Sequence, residues 1–336
     1  MRETAPAVVA DRLTKVYGDG HRAADAVSLS CAGGEIVGVV GPNGAGKSTT
    51  LNMLATLLAP TEGTGSVWGT PLEDVDAVRP KLGVALQGAG LDPLMTGAEH
   101  FEVQSALYRI PRARARARAA ELVERFDLGA YAGRLVGQYS GGIQRRLALA
   151  LALLGDPPAI IFDEPSVGLD PRSRRNLWDL VRTLAREGRS VLLSTQYLEE
   201  ADELCDRVYR IDHGRIVLAG PPPELKRTVG GATLRVEVAG EPRALLAALD
   251  GRAPPDATVD GQTVVFALDG DVEVAGLVLA AAREHGVALR RLQVAEPTLD
   301  DVFLHHTGRA LEAEPLSGAG FDLGARMQRG GGKKWR

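Results

Sequence analysis

Short apolar runs recur along this chain at 35–40, 82–86, 159–162 and 191–194. Those at 35–40 and 159–162 read as buried strands, the first in a parallel sheet, and the other two as further apolar strands. Between them the period lengthens. Leu51, Leu54, Leu57 and Leu58 are spaced for one face of a helix that stops at Pro60. A long helical stretch covers 96–128, and Ile143, Leu147, Ala150, Leu151 and Leu154 line one face of another helix. Residues 198–206 form an acidic helix. Strands at 209–212 and 216–218 flank Asp212-His213-Gly214, a hairpin signal. Near the N-terminus, 7–16 alternates as an edge strand would, Tyr17 to Gly20 turns the chain, 24–30 is a second strand, and 63–69 is a short strand punctuated by glycine.

Gly220 and the prolines after it break the pattern, and a domain boundary is expected near 229–231. Beyond it, strands at 233–238, 258–259, 263–267 and 288–294 alternate with helices at 243–249 and 272–285, with Asp260-Gly261 as the hairpin turn. This β-α-β-β-α-β order is that of a small ferredoxin-like unit. A last helix is expected over 299–306; from about 317 the chain is Gly-rich and ends in a basic stretch, the composition of a disordered tail. The divisions are therefore 1–228, with a helical part at about 88–155, then 229–310, then a tail at 311–336.

Composition narrows the class. The 336 residues are 45% hydrophobic, enough for two domains with real cores. A formal net charge of -4 gives no electrostatic footprint for nucleic acid. The longest apolar runs, 147–154 and 274–282, are too short to span a bilayer, and the first residues lack the apolar core of a signal peptide. Cys31 and Cys205 stand far apart, in no metal or redox spacing, and read as buried thiols of a soluble protein in a reducing cytoplasm. In Arg112-Ala-Arg-Ala-Arg-Ala-Arg118 the alternation suggests a strand, but the composition favours a helix with its arginines fanned over a solvated face.

The chemistry begins at Gly41, Pro42, Asn43, Gly44, Ala45, Gly46, Lys47, Ser48 and Thr49, which fit the phosphate-cradling pattern G-x-x-x-x-G-K-[ST] between a strand and a helix. Gly41, Gly44 and Gly46 let the backbone approach a polyphosphate, whose charge meets backbone N–H groups and a helix N-terminus. Lys47 adds a full positive charge near the β- and γ-phosphates, and the Ser48 hydroxyl is placed for Mg²⁺. Ser140, Gly141 and Gly142 open a later helix, a second place where an anion could sit. Asp163 and Glu164 end the strand at 159–162; beside a phosphate loop, such an acid pair reads as a site for Mg²⁺ and water. Gln196 follows the strand at 191–194.

The phosphate loop, Gln87, Ser140-Gly-Gly142, Asp163-Glu164, the segment from Ser166 to Asp170, and Gln196 occur in one order across 7–227. This set resembles the ATP-binding subunits of ATP-binding-cassette transporters. Within that class the chain is similar to the drug-resistance exporters of the daunorubicin type. Two features carry this finer likeness: Tyr139-Ser-Gly-Gly-Ile143 followed by a basic pair, and the ending Glu296-Pro-Thr-Leu-Asp-Asp-Val-Phe-Leu304. The resemblance implies an α/β fold: a P-loop cassette of RecA-like core with antiparallel β and helical subdomains, plus a small α+β ferredoxin-like C-terminal domain. It implies an ATPase using ATP and Mg²⁺. Tyr17 would stack on adenine, Gln87 would reach Mg²⁺ and sense a membrane partner, Asp163 would hold Mg²⁺ through water, and Glu164 would polarise the attacking water. Ser140 and Gly142 would cap the γ-phosphate of ATP bound to an opposite subunit, and Asp170 would cross that interface. Partners implied are a separate permease chain and a second copy packed head to tail, with no nucleic acid, on the cytoplasmic face of the membrane.

Two positions depart from the family pattern. Gln196 stands where many relatives have His; it can exchange hydrogen bonds but cannot take up a proton. A charged donor is worth about 1.5–3 kcal/mol and a neutral one about 0.5–1.5 kcal/mol, so a mere phosphate contact loses roughly tenfold in rate, whereas a lost proton acceptor would cost about 10²–10⁴-fold; with the rest of the site intact, the first case is preferred. Ile143 replaces a frequent Gln and is expected to pack at the helix start. Rival readings are a soluble cassette-type nucleotide switch and a regulatory subunit of low turnover. Switches of this kind usually carry two cassettes or long heptad arms, and neither is visible here.

Overall fold

The computed structural model describes residues 6–86, 90–228, 231–250, 257–268 and 273–307. Its strands form three sheets. The first contains β1 (Pro6–Val16), β2 (Arg22–Ala32), β4 (Glu62–Val67) and β5 (Thr70–Pro71), antiparallel in the order β2-β1-β4-β5. β1 pairs on both sides and is thus an interior strand, not the edge strand its alternation suggests. Alternation reports one covered face and is silent about lateral neighbours.

The second sheet holds β3 (Ile36–Val40), β6 (Leu82–Ala85), β7 (Ala159–Asp163), β8 (Ser190–Thr195), β9 (Arg207–Asp212) and β10 (Arg215–Gly220) in the order β10-β9-β3-β8-β7-β6. All neighbours are parallel except the β9–β10 hairpin. Its uninterrupted apolar runs follow from burial on both faces. Ile160, Phe162, Val191 and Leu193 enter one core, while Ala159, Ile161 and Leu192 enter the core on the other side.

Helices cover these sheets. α1 (Lys47–Leu54) follows β3, α2 (Val75–Val78) precedes β6, and α3 (Gly97–Leu107), α4 (Arg112–Arg125) and α5 (Gly141–Ala152) lie between β6 and β7. α6 (Pro171–Arg186) leads to β8, α7 (Leu198–Leu204) follows it, and α8 (Pro222–Arg227) closes this part. Three expectations need correction. α1 ends at Leu54, well before Pro60; Thr56 adopts a left-handed φ of 57° and Leu57 is exposed. The helical stretch at 96–128 is two helices, because Pro111 cannot continue α3 and instead caps α4. α6 was not anticipated, although its start is written in the sequence: Asp170 accepts from the N–H groups of Arg172 and Ser173, and Pro171 is the first helical residue. The arginine tract lies on α4, where Arg118 pairs with Glu121 at 2.7 Å and Asp156 at 3.4 Å.

The third sheet comprises β11 (Ala232–Val238), β12 (Thr258–Asp260), β13 (Thr263–Leu268) and β14 (Leu289–Ala295), antiparallel in the order β12-β13-β11-β14. With α9 (Pro242–Ala248) and α10 (Glu273–Glu284) as crossovers, this is the expected ferredoxin-like arrangement. It has its own core around Leu234, Val236, Phe266 and Val278. α11 (Leu299–Thr307) does not join that core. Its Leu299, Val302 and Phe303 are buried in the core beside α7 and α8, and the Arg210 guanidinium lies 4.5 Å from the centre of the Phe303 ring. The tail from 308 onward, Gln87 and the junction at 229–230 lie outside the described residues.

Candidate functional site

The site is assembled at the carboxyl end of the parallel sheet. β3 runs beside β8 with Val40 opposite Thr195, and β7 runs on the other side of β8 with Asp163 opposite Ser194. This register sets three chain exits next to one another: the loop from Gly41, the acids Asp163 and Glu164, and Gln196. Crevices at this end of open α/β sheets are where ligands bind.

The loop is shaped by two close approaches. A Cβ on Gly41 would lie 2.3 Å from the Ile211 carbonyl oxygen, and one on Gly46 would lie 2.2 Å from that of Ala23. Gly46 also has φ +104°, which favours glycine, and it forms the N-cap of α1. Both glycines are therefore required for seating the loop against the protein, before any phosphate is considered. Lys47 folds back over it, donating to the carbonyls of Gly41 at 2.8 Å and Pro42 at 3.0 Å.

Lys47 Nζ also lies 3.5 Å from Glu164 Oε1, and both side chains are buried, at 4% and 6% exposure. Burial pushes the Lys47 amine below its ordinary range, while Glu164 and then Asp163 pull it back up. Glu164 adopts φ 49°, a left-handed backbone that a non-glycine residue rarely takes. Its N–H is held by Ser194, through the carbonyl at 3.2 Å and the hydroxyl at 2.9 Å. The Asp163 carboxylate accepts from Ser48 Oγ at 3.2 Å and from the Ser194 hydroxyl. Ser48 and Asp163 thus form a small set of hard oxygen donors. That set fits Mg²⁺, which is commonly held by one or two protein oxygens with phosphate oxygens and water completing its shell.

A groove of about 480 Å³ opens over these groups. Asn43, Gly44, Gly46, Lys47, Ser48 and Thr49 line it, together with Glu164, Val167 and Gln196. Tyr17 and His21 also line it; Tyr17 is 41% exposed and its ring stacks on His21 at 6.5 Å between centroids. Gly41, Pro42 and Ala45 complete the loop below. Ser140, Gly141 and Gly142 are not among the residues lining this groove. They open α5 with Ser140 exposed, its side chain making no capping bond. Ile143 is buried at the start of α5, as expected. Asp170 stands at the start of α6 and caps it.

Sequence reading missed two buried polar residues that hold this site. Ser194, in an otherwise apolar strand, bridges Asp163 and Glu164. Glu200, 1% exposed on α7, accepts from Ser166 Oγ at 2.9 Å and from Trp178 Nε1 at 3.0 Å. Burial pushes its carboxyl above the usual range, against hydrogen bonds from Thr195, Ser166 and Trp178. The acidic composition of α7 suggests solvation, but Leu198, Ala201 and Leu204 mark an inner face with Glu200 beside it.

Residues 24–167 match the family described as ABC transporter, and residues 220–307 match the C-terminal domain described as ATP-binding protein DrrA1-3-like. The daunorubicin resistance ATP-binding protein DrrA3 of Streptomyces coeruleorubidus is 42% identical over 305 residues, covering 90% of this chain and 96% of that protein. The daunorubicin/doxorubicin resistance ATP-binding protein DrrA of Streptomyces peucetius is 41% identical over 309 residues, covering 90% and 92%. Among solved structures, a dimeric ATP-binding cassette in a post-hydrolysis state with ADP and Pi aligns with a TM-score of 0.60 at 30% identity, over 64% of this chain and 98% of that one.

Proposed function

The chain belongs to the ATP-binding-cassette transporter family, and we propose that it is the ATP-hydrolysing subunit of a drug exporter of the daunorubicin-resistance type, driving a small hydrophobic compound through a separate permease. The observation that carries this reading is the convergence of Lys47, Ser48, Asp163, Glu164 and Gln196 at one end of the parallel sheet, under a groove rimmed by Tyr17.

In this reading Lys47 exchanges partners. Lys47 lies 3.5 Å from Glu164 and donates to two loop carbonyls; with ATP in the groove its charge would turn to the β- and γ-phosphates. The Glu164 carboxylate then orients a water and accepts its proton. Ser48, Asp163 and Gln87 would hold Mg²⁺. Bound there, the ion would supply positive charge to the phosphates. Tyr17 offers a flat apolar face to the adenine, and Gln196 offers a neutral hydrogen bond to the terminal phosphate.

The geometry also favours a head-to-tail dimer. Among the described residues the groove is lined by the start of α1 and not by the exposed Ser140-Gly141-Gly142 start of α5. Two copies of the chain would complete two sites, with Asp170 near the seam. ATP then binds the copies together, and its hydrolysis releases them. We divide the chain near Thr228 into an ATPase unit with a helical part at about 88–155 and an accessory unit at 229–310. No described helix is long and apolar enough to cross a membrane, and we place the chain peripherally on the cytoplasmic face, docked on its permease.

Expression with its cognate permease tests the export reading. A membrane protein of about six spans should co-purify, and inside-out vesicles should take up an apolar drug only with ATP. Recovery of ribosomes or DNA instead, with no ATP-dependent uptake, would favour a soluble nucleotide switch. Gln196→Ala tests the role of the departing residue. A neutral phosphate contact is worth about 0.5–1.5 kcal/mol, so turnover should fall by roughly tenfold or less. A thousandfold loss in a phosphate-release assay would mean that Gln196 does more than touch phosphate.

A further inference from the structure

Arg145 lies on α5, one turn beyond the exposed helix start at Ser140, and is only 7% exposed. A guanidinium in the interior needs partners, and no carboxylate supplies a direct ion pair among those described. Its donors go instead to backbone carbonyls: Nε to Pro165 at 3.2 Å, and the two terminal nitrogens to Leu86 and Asp163. Each acceptor belongs to a segment of the hydrolytic site. Leu86 immediately precedes Gln87, and Asp163 and Pro165 flank Glu164 in the chain. Asp163, Glu164 and Glu200 are near enough to oppose the effect of burial on the charge of Arg145. Its neighbour Arg146 turns the other way, donating to Ser173 Oγ at 3.2 Å, the residue whose N–H and hydroxyl Asp170 holds.

We infer that Arg145 is a positioning residue that ties the Ser140–Gly142 helix start to the strand ends carrying Asp163 and Glu164 of the same chain, so that docking of this start on the partner copy's nucleotide sets the hydrolytic geometry at the chain's own site. The inference rests on the head-to-tail dimer proposed above. Helix α5 suits the task. Ile143, Arg145 and every residue from Leu147 to Ala152 are buried, so the helix moves as a packed rod rather than bending. Ser140 and Arg145 are roughly 7.5 Å apart along it, at about 1.5 Å per residue. A planar fork with several fixed donors can span two strand ends at once; a lysine ammonium, a point charge on a flexible stem, cannot hold the same geometry.

The test uses the full-length chain carrying Arg145→Gln or Arg145→Lys. Turnover at saturating ATP should fall about tenfold to a hundredfold in both, the range for losing charge-assisted hydrogen bonds, while the Kd for a fluorescent ATP analogue stays that of the parent. Combined with Glu164→Gln, both variants should still form ATP-dependent dimers, since Ser140–Gly142 remain able to dock. Parent-like turnover in either variant overturns the inference. So does a joint loss of nucleotide affinity, dimerisation and melting temperature, which would make Arg145 a packing residue. A parent chain that itself neither binds ATP nor releases phosphate would instead refute the ATPase reading beneath it.

Discussion

Glu164→Gln is expected to stop turnover while leaving ATP bound and dimers accumulating. The substitution keeps the size of the side chain and removes its charge. Glu164 stands at the carboxyl end of β7, with its backbone N–H fixed by Ser194 and its carboxylate 3.5 Å from Lys47. A glutamine there can still hydrogen-bond a water but cannot accept its proton, and removal of a general base costs about 10²–10⁴ in rate. The loop, Lys47 and Ser48, to which nucleotide binding is assigned above, do not change. With hydrolysis blocked, the nucleotide of the proposed dimer should stay between the two copies. Phosphate release and light scattering with and without ATP measure the two halves of the prediction. Turnover equal to the parent would remove Glu164 from the chemistry, and dimers appearing without ATP would remove the nucleotide from the interface.

Lys47→Ala should weaken nucleotide binding as well as turnover. Its ammonium is the one full positive charge among the loop residues 41–49. Losing charged contacts of about 1.5–3 kcal/mol raises the Kd for ATP by roughly tenfold to a hundredfold. Turnover should fall further than affinity, because negative charge shifts toward the β–γ bridging oxygen in the transition state, where a nearby cation stabilises it more than in bound ATP. The nucleotide-free chain should lose stability too. The ion pair of Lys47 with Glu164, buried at 4% and 6% exposure, would be lost, at a cost of about 1–3 kcal/mol. The double variant Lys47→Ala with Glu164→Gln should recover part of that loss, since the charge left behind is gone. Calorimetric melting of the four proteins reads the coupling. An unaltered melting temperature in the single variant, or no recovery in the double, would mean that the pair contributes nothing to the empty site.

The sequence alone determined most of the elements and the motif residues of the site, though not the buried Ser194 and Glu200 that hold them. Apolar runs buried on both faces mark β3, β7 and β8 because parallel strands between two cores have no solvent side. The loop is legible because phosphate chemistry demands glycine, lysine and a hydroxyl at fixed short spacings, and the accessory unit because its alternation and hairpin turn are local signals. Where local signals conflict or fall silent, the reading slipped: Pro111 splits what the helical period joined, β1 gained a second neighbour, and α6 went unread despite its Asp170-Pro171 start.

Only the tertiary structure decided which groups meet. Sheet register, a long-range property, sets Asp163 against Ser194 and Val40 against Thr195, and so brings Lys47 to Glu164 across more than a hundred residues of chain. It buried Arg145 and Glu200, polar residues whose composition argues for solvent, because backbone carbonyls in one case and hydroxyl and indole donors in the other were waiting at the ends of distant strands and helices. It also sent Phe303 of α11 away from its own sheet and under Arg210. Sequence specifies what each side chain can donate, accept or exclude; folding, by closing long loops against packed cores, chooses the partner.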